Sequence, residues 1–358
     1  MLTIEVTKTA APKEKPLETP DFGRVYTDHM FMMDYSNDKG WENPRIIPFG
    51  DLSLSPASMV FHYGQEMFEG LKAYRDEAGG VRLFRPDMNA KRTNQTCERL
   101  VMPTIPEEDF VAAIQALVKI DSDWLLDKPG YSLYIRPFMI ATEPFLGVTA
   151  SASYSFIIIL SPCGSYFNGD WQPIGLWVEE KYVRAVAGGV GFAKTGGNYA
   201  ASFAAAKRAK EAGYDQVLWL DGVQRKYIEE AGFMNIFFKI GDRIVTPSLS
   251  GSILPGVTRD TVLQLCEKWG YQIEERPIEI KEILVAIQAD SKEVDSQVEV
   301  FGSGTAAVIM PVGKFGYQDK HMKIGNGQPG ALCKKLYETI TAIQRGEAIE
   351  DYGWSVAV

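Results

Sequence analysis

The chain has 358 residues, 46% of them hydrophobic, enough for two domains with separate cores. Its 37 basic and 46 acidic residues give a net charge of -9, which opposes nucleic-acid backbones and anionic membranes, so neither is an expected partner. Four scattered cysteines without a CxxC pair fit a reducing, cytoplasmic setting, and three histidines are too few for a histidine-based metal site or a Ser-His-Asp triad, so no metal is expected.

The opening "MLTIEVTKTAAPKEKPLETPDF" mixes both charge signs and lacks a continuous apolar core, so residues 1–20 read as an extended arm and not a signal peptide. A small α/β domain is expected over 21–163. In it "RVYTDHMFMMDY" is strand-like, "VRLFRPDMN" is a strand and its stop, and "DMNAKRTNQTCERLVM" has helical spacing. The segment "IPEEDFVAAIQALVKIDSDWL" is an amphipathic helix with acids in its first turn, followed by the strands "YSLYIRPFMIA" and "SYSFIIILSP". The run "FIIIL" is far too short to span a bilayer. Turn residues in "CGSYFNGDWQPIG" mark an interdomain loop at 164–175, ahead of a larger domain over 176–358.

The larger domain opens with a strand, "GLWVEEKYVRAV", and reaches the glycine-rich "GGVGFAKTGGNYAAS". Asn198 is placed to cap a helix "YAASFAAAKRAKEA" that stops at Gly213, and "QVLWLD" comes next as a strand. "NIFFKI", "GDR" and "IVTPSL" spell a hairpin, and "ILPGVTRDTVLQLCEKWG" starts a helix around Gly256 and Thr258 with Asp260 in its first turn. Strands and helices mixed in this way predict an α+β or mixed α/β fold instead of a doubly wound parallel sheet.

Between Arg184 and Lys207 the one charged residue is Lys194, set among glycines. "GGVGFAKT" misses the P-loop pattern by one residue, and the glycines after it would break the helix that a P-loop needs. A structural glycine turn with a solvated lysine is a second reading. The third is a Schiff-base lysine, which needs few cations beside it, a dry setting and room for a flat ring. "LPGVTRD" offers amides at Val257 and Thr258 on a helix N-terminus, an anion site. Glu229 and Glu230 face opposite sides of any strand, so at most one can serve a bound ring; both could equally form a solvated strand end.

The runs "FHYGQEMFEGLKAY", "LFRPDMNAKR", "LYIRPFMI", "AKTGGNYAAS", "QVLWLD", "EEAGFMNIFF", "ILPGVTRD" and "FGSGTAA" occur in that order. Together they resemble the branched-chain amino acid aminotransferases, fold type IV enzymes, from about Tyr26 onward. The resemblance implies a two-domain fold with pyridoxal 5'-phosphate between the domains, covalently linked to Lys194. It implies that Lys194 moves the proton, that Glu230 faces the pyridine nitrogen and that Tyr199 donates to the ring oxygen. Arg92, Val257, Thr258 and Thr305 would meet the phosphate. Tyr26, Phe68, Tyr134 and Tyr166 would line the substrate pocket, with Arg136 for the distal carboxylate of glutamate and Thr305 and the Ala306 amide for the α-carboxylate. Tyr63, Leu146 and Val148 match residues that the family contributes from a second subunit, which implies a homodimer.

The activity that the resemblance implies is a ping-pong transfer of the amino group from L-leucine, L-isoleucine or L-valine to 2-oxoglutarate. A fold type IV D-amino acid aminotransferase or aminodeoxychorismate lyase would use the same lysine with another pocket; a P-loop phosphotransferase or a non-catalytic binding protein would not need it. Two positions depart from the family pattern. Phe233 stands where many relatives have threonine near the substrate carboxylate, and Ala307 and Met310 stand where some carry a CxxC pair, so no thiol switch is expected there.

Overall fold

The computed structural model describes residues 2–16, 20–126, 128, 130–164, 171–290, 297–318, 320–348 and 352–358. They fall into two compact units, one of Met1–Tyr166, Ala193–Gly196 and Ala342–Val358, the other of Phe167–Phe192 and Gly197–Thr341. A single boundary at 164–175 therefore differs from the observed division in two segments: the four residues around Lys194 and the C-terminal stretch both belong to the first unit.

The first unit is built on a nine-stranded sheet. Its order is Glu5–Val6, Gly40–Pro48, His29–Ser36, Ser153–Cys163, Ser132–Ala141, Leu71–Arg75, Val81–Phe84 and Ser355–Ala357, with Glu66–Phe68 also paired to Ser132–Ala141. The pleat sorts each strand into two faces. Phe31, Leu133, Ile135, Met139, Phe156 and Ile158 form one buried cluster with Phe110, Ile114 and Leu117 of the helix Glu107–Ile120. That helix carries Glu107, Glu108 and Asp109 in its first turn, where the macrodipole favours them. The alternate residues point the other way. There the register sets Lys72 beside Tyr134, Tyr134 beside Ser161, Phe68 beside Phe138 and Arg136 beside Ile159. Period-two alternation thus puts Phe68, Tyr134 and Arg136 on the face opposite the helices.

The second unit has a mixed nine-stranded sheet. Its path runs Ile228–Ala231, Gln216–Leu220, Ile174–Val178, Val308–Tyr317, Val298–Gly304, Met234–Ile240, Arg243–Thr246 and Gln272–Glu275, and Lys320–Lys323 pairs with Val308–Tyr317. Ile228–Ala231 also pairs with Met234–Ile240, so six strands close on themselves. Ile236, Phe238, Val245 and Val300 pack with Ile283 and Ile287 of the helix Ile280–Asp290. The hairpin read from "GDR" is present: Ile240 pairs with Arg243 across Gly241 and Asp242, and Gly241 takes φ 60°.

Two local expectations are corrected. The strand in "GLWVEEKYVRAV" covers Ile174–Val178 and stops there, because the buried Glu179 carboxylate accepts the Lys181 and Tyr182 amides and turns the chain. Asn198 does not cap the long helix. It lies inside a short one, Gly196–Ala200, and its Nδ2 donates to the Val190 carbonyl at 2.8 Å, while the next helix, Phe203–Glu211, begins after Ser202.

Candidate functional site

In the first unit the lysine segment is pinned by its backbone. The Phe68 amide donates to the Lys194 carbonyl at 3.0 Å, and the Lys194 amide donates to Thr96 Oγ1 at 3.0 Å. The Thr195 hydroxyl donates to Glu66 Oε1 at 3.0 Å, and the Gly196 amide donates to the same oxygen. A Cβ on residue 196 would lie 2.8 Å from that oxygen, so one glycine of the loop exists to let the chain approach Glu66. Burial pushes the Glu66 carboxyl up, opposed by these two donors and by the charge of Arg136.

The isolation of Lys194 along the sequence does not extend into space. Its Nζ lies 5.0 Å from the centroid of the Phe68 ring, and the Arg136 guanidinium lies 4.8 Å from the same ring. Arg136 Nη2 also donates to Tyr134 Oη at 3.0 Å. The fully buried Glu69 accepts Arg92 Nε at 2.7 Å, Arg92 Nη2 at 2.9 Å and Asn89 Nδ2 at 2.7 Å. Burial by itself would raise this carboxyl, but the charges of Arg92 and Lys194 and the hydrogen bonds outweigh it and hold it below the ordinary range. Arg92 therefore presents a guanidinium whose plane is fixed by Glu69. The adjoining Gly70 is a packing requirement, since an added Cβ would overlap Tyr134 Oη.

Tyr26 stacks on Phe49 with centroids 5.0 Å apart and planes 9° from parallel, and its hydroxyl donates to the Gly23 carbonyl at 2.9 Å. Tyr63 is 41% exposed with its hydroxyl on the Leu146 carbonyl, and Leu146 and Val148 are 61% and 89% exposed. Tyr166 lies outside the described residues.

In the second unit the strand Ile228–Ala231 carries two buried carboxylates, so the solvated strand end is excluded. Glu230 Oε1 accepts Arg184 Nη2 at 3.0 Å and the Leu254 amide at 2.6 Å. Arg184 Nη2 also reaches the Gly191 carbonyl at 2.8 Å and the Ser252 carbonyl at 2.6 Å, so one guanidinium joins Glu230 to the glycine loop and to the turn before the helix Val257–Lys268. Across the sheet Glu230 pairs with Asn235, and Asn235 with Ser303. Asn235 Nδ2 supports the Leu254 carbonyl at 2.9 Å, and a side chain on Gly256 would collide with Asn235 Oδ1.

Gly256 caps that helix without a side-chain bond. The Asp260 amide makes a backbone bond to the Gly256 carbonyl, and the Val257 and Thr258 amides precede it at the helix end. Thr305 and Ala306 form the turn that joins Val298–Gly304 to Val308–Tyr317. The buried Ser303 hydroxyl beside them has no protein partner. Tyr199 stacks on Phe233 at 4.9 Å and 15°, so the aromatic departure from the family pattern braces the predicted ring-oxygen donor. A buried anion, amides at a helix end and an orphaned hydroxyl suit a flat cationic ring bearing a phosphate.

Arg184, Glu66, Glu69 and Asn235 were not among the expected site residues. The signal for Glu66 and Glu69 lies in "QEMFEG", where two acids flank the apolar pair Met67 and Phe68 and need partners if buried. Nothing local marks Arg184. Among the described residues no group of three or more His, Cys, Asp and Glu side chains could hold a metal ion, and no helix is long and apolar enough to cross a membrane.

Glu229 faces away from Glu230. Its Oε1 accepts the Ser252 hydroxyl, and its Oε2 is buried without a partner. Burial raises its carboxyl, against the Ser252 hydroxyl and the Arg184 charge, with Glu230 and Asp221 adding to the rise. The folded state then binds more protons than the unfolded state above the ordinary value of 4.5, so this group makes stability fall as pH climbs from 4.5 through its raised value. Glu229→Gln is expected to flatten that slope, and unfolding midpoints measured from pH 4.5 to 8 check it. A slope identical to that of the parent rejects a raised Glu229 carboxyl.

The model of the family "Amino-transferase class IV" matches residues 66–315. A branched-chain-amino-acid aminotransferase 2 of Bacillus subtilis (strain 168) is 54% identical over 357 residues, covering 100% of this chain and 97% of the relative. The crystal structure of the Escherichia coli branched-chain amino acid aminotransferase superposes with a TM-score of 0.74 at 25% identity, covering 92% of this chain and 98% of that one. A T.th. branched-chain amino acid aminotransferase solved with pyridoxamine 5'-phosphate gives 0.73 at 26% identity, covering 90% and 97%.

Proposed function

The chain belongs to the class IV aminotransferases, and we propose that it moves the amino group of L-leucine, L-isoleucine or L-valine to 2-oxoglutarate, giving the branched 2-oxo acid and L-glutamate. Its cofactor is pyridoxal 5'-phosphate, which when bound supplies the electron sink and carries the amino group. One observation supports the reading above the others. The Lys194 backbone is fastened on both sides, to Thr96 and to Phe68, so the chain aims one amine from a fixed point.

The residues then divide the work. Lys194 Nζ takes the proton from the substrate α-carbon as a general base and, as a general acid, would deliver it to the cofactor carbon that bears the amino group. Glu230 holds negative charge for the pyridine nitrogen, and Arg184 and the Leu254 amide keep that charge in place. Val257, Thr258 and Thr305 bind the phosphate with Arg92, whose guanidinium is oriented by Glu69. Tyr199 donates to the ring oxygen. Tyr26, Phe68, Tyr134 and Tyr166 form apolar walls, and Arg136, already directed by Tyr134, receives the distal carboxylate of glutamate. Thr305 and the Ala306 amide take the α-carboxylate.

Incubation of the holoenzyme with leucine and 2-oxoglutarate is expected to give glutamate and the branched oxo acid in equal amounts. Glutamate formed from D-leucine and not from L-leucine would shift the assignment to a D-amino acid aminotransferase. The exposed Tyr63, Leu146 and Val148 support a homodimer in which each copy completes the other's pocket. Sedimentation at micromolar concentration tests this, and a fully active monomer refutes it. A cytoplasmic location belongs to the same reading, supported by four buried free thiols; recovery from the culture medium speaks against it.

A further inference from the structure

The N-terminal arm is fastened to the strand after Tyr26 by contacts its composition does not announce. Glu5 and Val6 pair with Arg45 and Ile46, and Leu2 and Ile4 pack on the core. The Thr9 amide donates to Nε2 of the buried His29 at 3.0 Å, and His29 Nδ1 is held by Asp121 at 2.6 Å. The Lys13 amide donates to Oδ1 of the buried Asp28 at 2.8 Å, whose Oδ2 accepts Trp124 Nε1 at 3.0 Å. Lys13 Nζ then reaches the Tyr26 carbonyl at 3.2 Å and the Thr27 carbonyl at 2.8 Å, and lies 4.5 Å above the Phe49 ring. Phe49 is the ring on which Tyr26 stacks.

We propose that residues 2–16 are a strap that fixes the Tyr26–Phe49 ring pair and thereby sets affinity for the amino-acid side chain, with Lys13 as its positioning residue. The physical content is entropic. A substrate that must first immobilise a loose aromatic wall binds more weakly than one that meets the wall already in place. Lys13 fixes backbone and ring together, because one ammonium satisfies two carbonyls of the Tyr26–Thr27 segment and the face of its stacking partner. The buried acceptors His29 Nε2 and Asp28 Oδ1 give the strap its register.

The inference rests on Tyr26 being a wall of the substrate pocket, so the test carries both residues. In full-length holoenzyme, Lys13→Met is expected to raise KM for leucine about fivefold, a modest figure because the ammonium is exposed, while kcat and the absorption of the bound cofactor stay unchanged. Lys13→Arg, which can still donate to both carbonyls, recovers most of the loss. If Tyr26→Ala raises KM and Lys13→Met does not, the strap is overturned and the pocket stands. If neither moves KM, Tyr26 is no wall and the proposal falls with that reading. A Lys13→Met enzyme that loses kcat and thermal stability together, with KM unmoved, shows an arm that serves only the fold and also overturns it.

Discussion

Lys194→Ala is expected to lower turnover by roughly 10²- to 10⁴-fold, the range for a positioned general acid and base, while leaving the fold intact. The fold survives because the contacts that dock this segment are made by its main chain and by the Thr195 hydroxyl, and none of these by the Lys194 side chain. The Lys194 amide on Thr96, the Lys194 carbonyl under the Phe68 amide, and the Thr195 and Gly196 donors on Glu66 are all kept by alanine. What is lost is the amine over the Phe68 ring, with its charge near Glu69. Lys194→Arg separates the two roles that amine could have. A cation–π role is satisfied by arginine, whose guanidinium favours aromatic faces, but a group that must accept a proton cannot be an arginine. Both variants should therefore be equally inactive, measured as glutamate formed per enzyme, with thermal midpoints near that of the parent. An arginine variant with most of its turnover would make Lys194 a structural cation.

The lysine also shows how far the sequence could be read. Its setting among glycines, the hairpin at Gly241 and the helix beginning at Gly256 are local events, and local propensity and spacing reveal them. Pairing between distant segments leaves no such trace. Ser355–Ala357 joins Val81–Phe84 across most of the chain, and Ala193–Gly196 leaves its neighbours to lie along Glu66–Phe68. The neutrality around Lys194 was a property of the sequence alone, because Arg136 arrives at the Phe68 ring from another strand. The faces of the strands were legible from period two. Which buried acid would find which arginine was not, and Arg92 with Glu69 and Arg184 with Glu230 are both such pairs.

The second of those pairs carries the next largest effect. Arg184 and Glu230 side chains are 6% and 3% exposed, so neither charge has water to fall back on. Arg184→Met leaves Glu230 with the Leu254 amide but without its counter-ion, and breaking a buried pair from one side costs about 3–5 kcal/mol. The variant also frees the Gly191 and Ser252 carbonyls, to which the same guanidinium donates. A carboxylate so exposed to low dielectric takes up a proton more readily, and a protonated Glu230 cannot hold a pyridine nitrogen cationic. Two readouts should thus move together: an unfolding free energy lower by that amount, and a turnover reduced by roughly ten- to a hundredfold, the equivalent of about 1.4–2.8 kcal/mol in the barrier. Glu230→Gln in the Arg184→Met background is expected to restore part of the stability, since the buried charge that lost its arginine is gone, and none of the turnover. That split identifies Arg184 as the guardian of a charge and not as one more packed side chain. If the double variant is no more stable than Arg184→Met alone, the cost came from the two carbonyls, and the electrostatic account of Glu230 must be given up.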